Sequence, residues 1–497
     1  MNDKITIKVN FKGGIISPGD LYNILVAANK AKIENVSFGL RQQLFMDVIN
    51  ENYKILVEEL HQLGIFFEVN SDSYPNISSS YPAEEIFITK TWLSEGVYID
   101  IFDMMDYRPK LKINIADSNQ SITPNLTGNI NWVASHVQHF WHLFIRFPKT
   151  NVVYEWKEML YTNDVPRMSM HIEELIFANR KKFIDNPLAS GDELFDLLTE
   201  NNYITKTAEA PVKLPGFNLP YYEGLNRYQD KFWLGIYRRD EMFSVSFLKE
   251  LCQICLQTKI GQICSTPWKS IIIKNIESRT LKYWNNLLAK HLINVRHAAN
   301  ELNFQVEDHC HEGLELKNFL VKYLHKDDTR TFGICFGIKT RKKSEVFSNI
   351  LVRRRPLISL FGFGFFHVYD ILCAKDFNPN ERTGSAFSTG NFKFLLPEQL
   401  RRAILSFYFY HDAASLPILK TPSSKKEKPV NEAEPQFVYQ CSHCMSVYDE
   451  KTGDPSKEIP ADTLFSKLPS SYTCDLCDAP KEDFVKTNIL ELGLQAI

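Results

Sequence analysis

The sequence predicts an α+β body made of two similar halves, tethered to a small metal-binding domain near its C-terminal end. Three features carry that reading: a helix-and-strand unit that recurs without gaps, a Pro-, Ser- and charge-rich segment over 413–436, and two CxxC pairs beyond it. At 497 residues the chain exceeds one ordinary hydrophobic core. Its 44% hydrophobic and 23% charged content is that of a globular protein. A formal charge of −2 leaves no electrostatic footprint for nucleic acid or an anionic membrane, so neither is expected as a partner. No apolar run approaches the ~20 residues that span a bilayer. The opening MNDKITIKVNFKGG alternates like a strand and holds no apolar signal core, so a cytoplasmic location is expected. ISLFGFGFF, around Ile358 to Phe366, reads as a buried strand pair.

The recurring unit aligns Ile16–Ile49 with Phe243–Ile276. Leu21 falls on Leu248, Ile24 on Leu251, Val36 on Ile263, Leu44 on Ile271 and Ile49 on Ile276. Each copy opens with apolar residues at three- and four-residue spacing, which predicts a helix. Alternating stretches follow (VSFGLRQQLFMDV; QICSTPWKSIIIKNI), each read as one strand, and second helices close the units at Tyr53–Gly64 and Leu281–Leu292. The units are placed at about 5–70 and 232–300 within a body of 1–412. Cys252 and Cys255 stand where Leu25 and Ala28 stand in the first copy, so they read as core residues rather than metal ligands. The segment 413–436 cannot bury a core and is expected to act as a semi-extended tether to a domain over 437–486, with a tail over 487–497.

Four of the ten cysteines form the two CxxC pairs, Cys441–Cys444 and Cys474–Cys477. Two such pairs can set four thiolates tetrahedrally around one ion, which zinc or iron would fill. Zinc ribbons separate their pairs by about 15–20 residues, whereas Cys444 and Cys474 stand thirty positions apart. The surroundings resemble rubredoxin: Tyr439, Tyr448-Asp449, Gly453-Asp454-Pro455, Phe465 through Leu468-Pro469 to Tyr472-Thr473, and Lys481 to Phe484. The resemblance implies one iron ion cycling between Fe(III) and Fe(II), with Cys444 and Cys477 nearest the surface. It also implies an aromatic shell that keeps water from the sulfurs. Met445 and Asp478 replace the glycine that rubredoxins carry after each pair, Tyr472 replaces a tryptophan, and Asp462 a further glycine. Acidic residues, Asp449 to Asp483, outnumber the lysines of the module, which suits either steering toward a basic partner or plain solubility.

The body resembles siroheme-dependent nitrite and sulfite reductases, whose halves are ferredoxin-like. The similarity runs through Gly13-Gly14-Ile15-Ile16, Leu40-Arg41-Gln42, Arg108-Pro109-Lys110-Leu111-Lys112 ahead of a strand to Ala116, and Ser265-Thr266-Pro267-Trp268. It implies that Arg41, Lys110 and Lys112 face an anion or the carboxylates of siroheme, as forked guanidinium and ammonium groups suit. Solvated strand-end charges are the alternative. Pro75 before Asn76 stands where the family has arginine. Family members hold a four-iron cluster by C-x5-C and C-x3-C pairs. Here Cys310 has Phe304 in place of its partner, and Cys335 is followed four positions on by Lys339. Two thiolates cannot hold a cubane, so no complete 4Fe-4S site is expected. His309 and His311 flank Cys310, but a His-Cys-His run cannot wrap one ion alone. Gly362 and Gly364 lack the third glycine of a nucleotide loop. Arg341-Lys342-Lys343 and Arg353-Arg354-Arg355 read as a docking patch or as solvated edges.

The reading is an electron carrier rather than a self-sufficient oxidoreductase, working with a redox partner protein (a reductase or terminal acceptor). Nitrite or sulfite assimilation is the pathway the resemblance suggests. Two alternatives stay open: a siroheme- or tetrapyrrole-binding redox enzyme or cofactor carrier, and a scaffold with a structural zinc ribbon.

Overall fold

Two serines at matching places in the repeat start the architecture. Ser17 accepts a hydrogen bond from Asp20 N and caps helix α1 (Pro18–Lys30). Ser244 accepts one from Phe247 N and caps its counterpart, Val245–Gln257. Such a side-chain acceptor satisfies one of the amides a helix start leaves bare. The computed structural model describes residues 4–415 and 437–488, except 89–90, 199–201, 209–210, 342–345, 361–362, 381–383 and 445. The chain divides into two units, Met1–Leu416 and Pro417–Ile497.

In the first unit, the first copy runs β1 (Lys4–Val9), β2 (Ile15–Ile16), α1, β3 (Asn35–Phe38), β4 (Leu44–Ile49) and α2 (Asn50–Gln62). The second runs β5 (Lys231–Ile236), β6 (Phe243–Ser244), α3 (Val245–Gln257), β7 (Ile263–Ser265), β8 (Ile271–Ile276) and α4 (Leu281–Lys290). Where one strand was expected after each first helix, there is a hairpin. Its turns are built alike. Gly39 N donates to Gln43 O and Gln42 N to Gly39 O; Thr266 N donates to Ser270 O and Lys269 N to Thr266 O. Gln42 and Lys269 take left-handed backbone, φ 65° and 54°, so neither turn has a glycine at its left-handed position.

The copies also exchange strands. β6 of the second pairs with β3 of the first, Phe243 opposite Val36; β2 of the first pairs with β7 of the second, Ile16 opposite Ile263. Each five-stranded sheet is thus closed by a two-residue edge from the other half. Leu21, Ile24, Leu25 and Ala28 of α1 share one core with Leu248, Leu251, Cys252 and Cys255 of α3, all fully buried. Burial pushes the Cys252 thiol up to about 12, which suits a packed side chain and not a ligand. Gly13 and Gly14 just before β2 have φ 65° and 74°; a Cβ on Gly13 would meet the Phe102 ring at 2.3 Å.

Each half then continues into a second sheet. The first places Ser78–Ser79, Ile113–Ala116 and Ile130–Ala134 side by side in parallel, then Phe140–Arg146 antiparallel. The second places Phe304–Val306, Phe336–Lys339 and Ile350–Leu360 in parallel, then Phe363–Ala374 antiparallel. Helices Glu95–Met104 and His311–Lys326 supply the first crossover that parallel neighbours require. The duplication therefore spans both sheets of each half, beyond the units read from sequence. The last helix, Leu396–Ser415, reaches into the segment expected as tether; the rest of that segment, 416–436, and the tail beyond 488 lie outside the described residues.

The strand pair of ISLFGFGFF forms, with Leu360 opposite Phe363, and Gly362 lies outside the described residues. Phe366, the residue of this segment whose side chain is described, is 74% exposed rather than buried. The neighbouring strands pair only with the base of this hairpin, up to Arg353 and from Tyr369. Among the described residues, no helix is long and apolar enough to cross a membrane.

Candidate metal centre

The second unit is a three-stranded antiparallel sheet in which β9 (Phe437–Cys441) lies between β10 (Val447–Tyr448) and β11 (Phe484–Asn488). Each CxxC pair sits on a tight knuckle, and the two knuckles match. Cys441 N donates to Ser446 O at 2.8 Å, and Cys474 N donates to Ala479 O at 2.7 Å. Asp478 takes left-handed backbone at φ 56°, as does Asp462 at φ 61°. Both are positions where the resemblance leads one to expect glycine, and a short aspartate tolerates that region. Met445, the first-knuckle counterpart of Asp478, lies outside the described residues.

The knuckles bring the Sγ atoms of Cys441, Cys444, Cys474 and Cys477 within 4.8 Å of one another, a set that could hold one metal ion. Cys441 and Cys477 sulfurs stand 3.7 Å apart, Cys444 and Cys474 sulfurs 3.4 Å. A tetrahedron with metal–sulfur bonds of ~2.3 Å has edges of roughly 3.8 Å, so the donor set fits a four-thiolate ion. Cys441 and Cys474 are fully buried, Cys444 is half-buried and Cys477 exposed. The outer sulfur of each pair thus faces solvent. Behind the site Tyr448, Phe465, Leu468 and Tyr472 form a small core, with Tyr439 stacked on Phe465 at 4.0 Å. Tyr472 Oη donates to Asp454 Oδ2 at 2.9 Å inside that core.

One residue of this site went unnoticed in the sequence. Ser446 Oγ lies 2.9 Å from Cys474 Sγ and 3.3 Å from Cys444 Sγ. Burial alone would raise the Cys474 thiol, but the Ser446 hydroxyl and neighbouring amides draw it below its ordinary value. The only sequence signal was a hydroxyl residue two places after a cysteine. The acidic surface is partly spent on the fold: Asp454 is buried, Glu450 accepts from Phe465 N at 2.7 Å, and Asp483 sits 2.9 Å from His443.

In the body, Arg41 is buried and its guanidinium is committed to protein. Nε donates to Asn76 O, Nη1 to Asn114 Oδ1 and Nη2 to Ile113 O, at 2.9, 3.1 and 2.7 Å. The cavity beside it holds about 20 Å³, room for one water rather than a tetrapyrrole. Lys112 is half-buried nearby, and burial together with the Arg41 charge lowers it to about 8. Lys110 is exposed, and its backbone N–H donates to Glu173. Cys335 packs in the core of the first half's second sheet, while Cys310 caps helix His311–Lys326 against the core of the second half's second sheet. His309 turns its ring onto Phe45, and His311 is exposed beside Glu315. Of the arginine run, Arg353 and Arg355 both bind the buried Asp370, and Arg354 pairs with Glu312. Arg341 donates to the carbonyls of Asp308 and His309, and Lys342 and Lys343 lie outside the described residues. Arg353, Arg354 and Arg355 are thus each paired with a carboxylate where they stand.

The rubredoxin family model matches residues 438–484. Over 48 residues the chain is 46% identical to rubredoxin-2 of Chlorobaculum tepidum, a match covering 92% of that protein and 10% of this chain. It is 41% identical over 54 residues to rubredoxin-2 of Desulfovibrio desulfuricans, covering 87% of that protein and 10% of this one. The structure of the Mycobacterium tuberculosis NirA protein superposes on 81% of this chain and 81% of its own, with TM-score 0.60 and 15% identity. A span that long must draw chiefly on the body, and it shows the body's fold. With four cysteines in the arrangement just described and most of two rubredoxins matched end to end, the chain belongs, through its C-terminal module, to the rubredoxin family.

Proposed function

We propose that this chain is a one-electron carrier whose four cysteines, Cys441, Cys444, Cys474 and Cys477, hold a single iron, and that its body serves as a scaffold in nitrite or sulfite assimilation. Membership of the rubredoxin family implies an iron centre, electron transfer and a redox partner. The observation that carries the proposal is the convergence of four thiols with two sulfurs buried and Cys477 exposed. When bound, iron supplies a one-electron couple. The chain holds it between two matching knuckles, keeps water from the inner sulfurs with its aromatic core, and leaves Cys477 as the surface point for electron exchange. Of the three body charges, Lys110 and Lys112 are proposed as anion-facing, while Arg41 is taken up by protein oxygens. The commitment of Arg41 to carbonyl oxygens and the small space beside it favour a scaffold over a siroheme enzyme.

Metal analysis and the visible spectrum of the purified chain test this. One iron and a red colour bleached by dithionite are expected. Additional siroheme bands overturn the scaffold reading, and a colourless zinc protein overturns the carrier itself. Replacing Cys477→Ser should abolish or markedly shift the ferric charge-transfer bands while circular dichroism of the body stays unchanged; bands unchanged in position and intensity remove the ligand assignment. A titration of the chain with nitrite and sulfite that leaves its fluorescence flat would discard the anion role.

A further inference from the structure

We propose that Ser446 raises the reduction potential of the metal centre by donating its hydroxyl proton to Cys474 Sγ, an inference that rests on the reading of the four cysteines as iron ligands. Ser446 Oγ is 2.9 Å from Cys474 Sγ and 3.3 Å from Cys444 Sγ. A metal-bound thiolate has no proton of its own, so only the hydroxyl can donate. Its single proton goes to the nearer sulfur. Cys474 is fully buried, so water does not compete for that lone pair. The backbone of Ser446 is held by the bond from Cys441 N to its carbonyl at 2.8 Å, which fixes the side chain's origin over the sulfurs.

The matching knuckle supplies an internal contrast. Its residue in the place of Ser446 is Ala479, whose carbonyl accepts from Cys474 N in the same way and whose side chain packs with Cys441 and Cys474. One knuckle therefore brings a donor to a sulfur and the other brings a methyl group. On reduction one electron enters from the donor, no covalent bond forms or breaks, and the serine keeps its proton. The four-thiolate centre passes from a net charge of −1 to −2, and much of the added charge resides on sulfur. A hydrogen bond to an anionic acceptor strengthens as that acceptor gains charge. The Ser446 hydroxyl thus stabilises the reduced form more than the oxidised one. It is a positioning residue and does not ligate the metal.

The test is a dithionite and ferricyanide redox titration of the iron-loaded full chain, followed by its visible absorption. Ser446→Ala should shift the balance about tenfold toward the oxidised form, a fall of about 59 mV for a one-electron couple. Ser446→Thr, which keeps the hydroxyl, should restore the wild-type value, and Ala479→Ser should raise it. An Ser446→Ala chain with full iron content and an unchanged potential overturns the inference while leaving the carrier reading intact. Should Ser446→Ala fail to hold iron, Ala479→Ser decides: a higher potential supports hydroxyl control, and an unchanged one overturns it. A wild-type chain that carries zinc and shows no ferric bands overturns both.

Discussion

Tyr472 stands where a tryptophan is usual in rubredoxins, and its hydroxyl reaches Asp454 Oδ2 at 2.9 Å within the module's core. Ser456 N and Oγ bind the other oxygen, so this buried carboxylate is held on both sides. Tyr472→Phe leaves one oxygen bare and should cost about 1–2 kcal/mol, read as a lower midpoint for thermal bleaching of the ferric absorption. In the body, Asp370 is the comparable residue. Burial alone would raise its carboxyl; Gly390 N–H, Arg353 and Arg355 overcome this and hold it below its ordinary value. A carboxyl with a depressed folded-state pKa gives stability that is complete above its ordinary value near ~3.9 and is lost as pH falls through the depressed one. Asp370→Asn should therefore lower the body's melting midpoint at pH 7 and flatten its decline below about pH 4. The cost should be about 2 kcal/mol, less than for a fully buried pair because both arginines are about 40% exposed. The arginine run was visible in the sequence. The pairing of Arg353 and Arg355 with Asp370 on a neighbouring strand was not, because nothing in local spacing links them to it.

Among the elements, the exchanged edges matter most. Phe243 is 1% exposed, pairs with Val36 and meets the ring of Phe38 edge-on at 5.4 Å. Ile16 fills the equivalent place on the other sheet, fully buried opposite Ile263. Phe243→Ala should cost about 3–5 kcal/mol and Ile16→Ala about 2–5 kcal/mol. Each should melt the body at lower temperature and leave the ferric bands of the C-terminal module in place at room temperature. The helices of the repeat were legible because buried residues recur with helical spacing on α1 and α3. The hairpins were not, since their left-handed residues are Gln42 and Lys269, and neither is a residue that marks a turn. Reading each alternating stretch as one strand kept the alternation and missed the reversal within it.

For the molecule as a whole, the convergence of the four sulfurs was legible in the sequence, since four cysteines in two close pairs leave few other geometries. Ser446 was not, because a hydroxyl acquires meaning only once the knuckle aims it at a sulfur. The second sheet of each half was hidden for another reason. The two share strand order and crossover helix without sharing a sequence pattern that would betray the kinship, so the duplication stopped at the units where residues still match. One consequence of the strand exchange concerns synthesis. The outer edge of β3 is covered only by Phe243–Ser244, some two hundred residues further along the chain. At ~5–20 residues per second of elongation, the nascent first half waits roughly 10–40 s with a bare strand edge, the kind of surface that pairs with other chains. A slowly translated or truncated message should yield aggregates of this half before it yields any folded fragment.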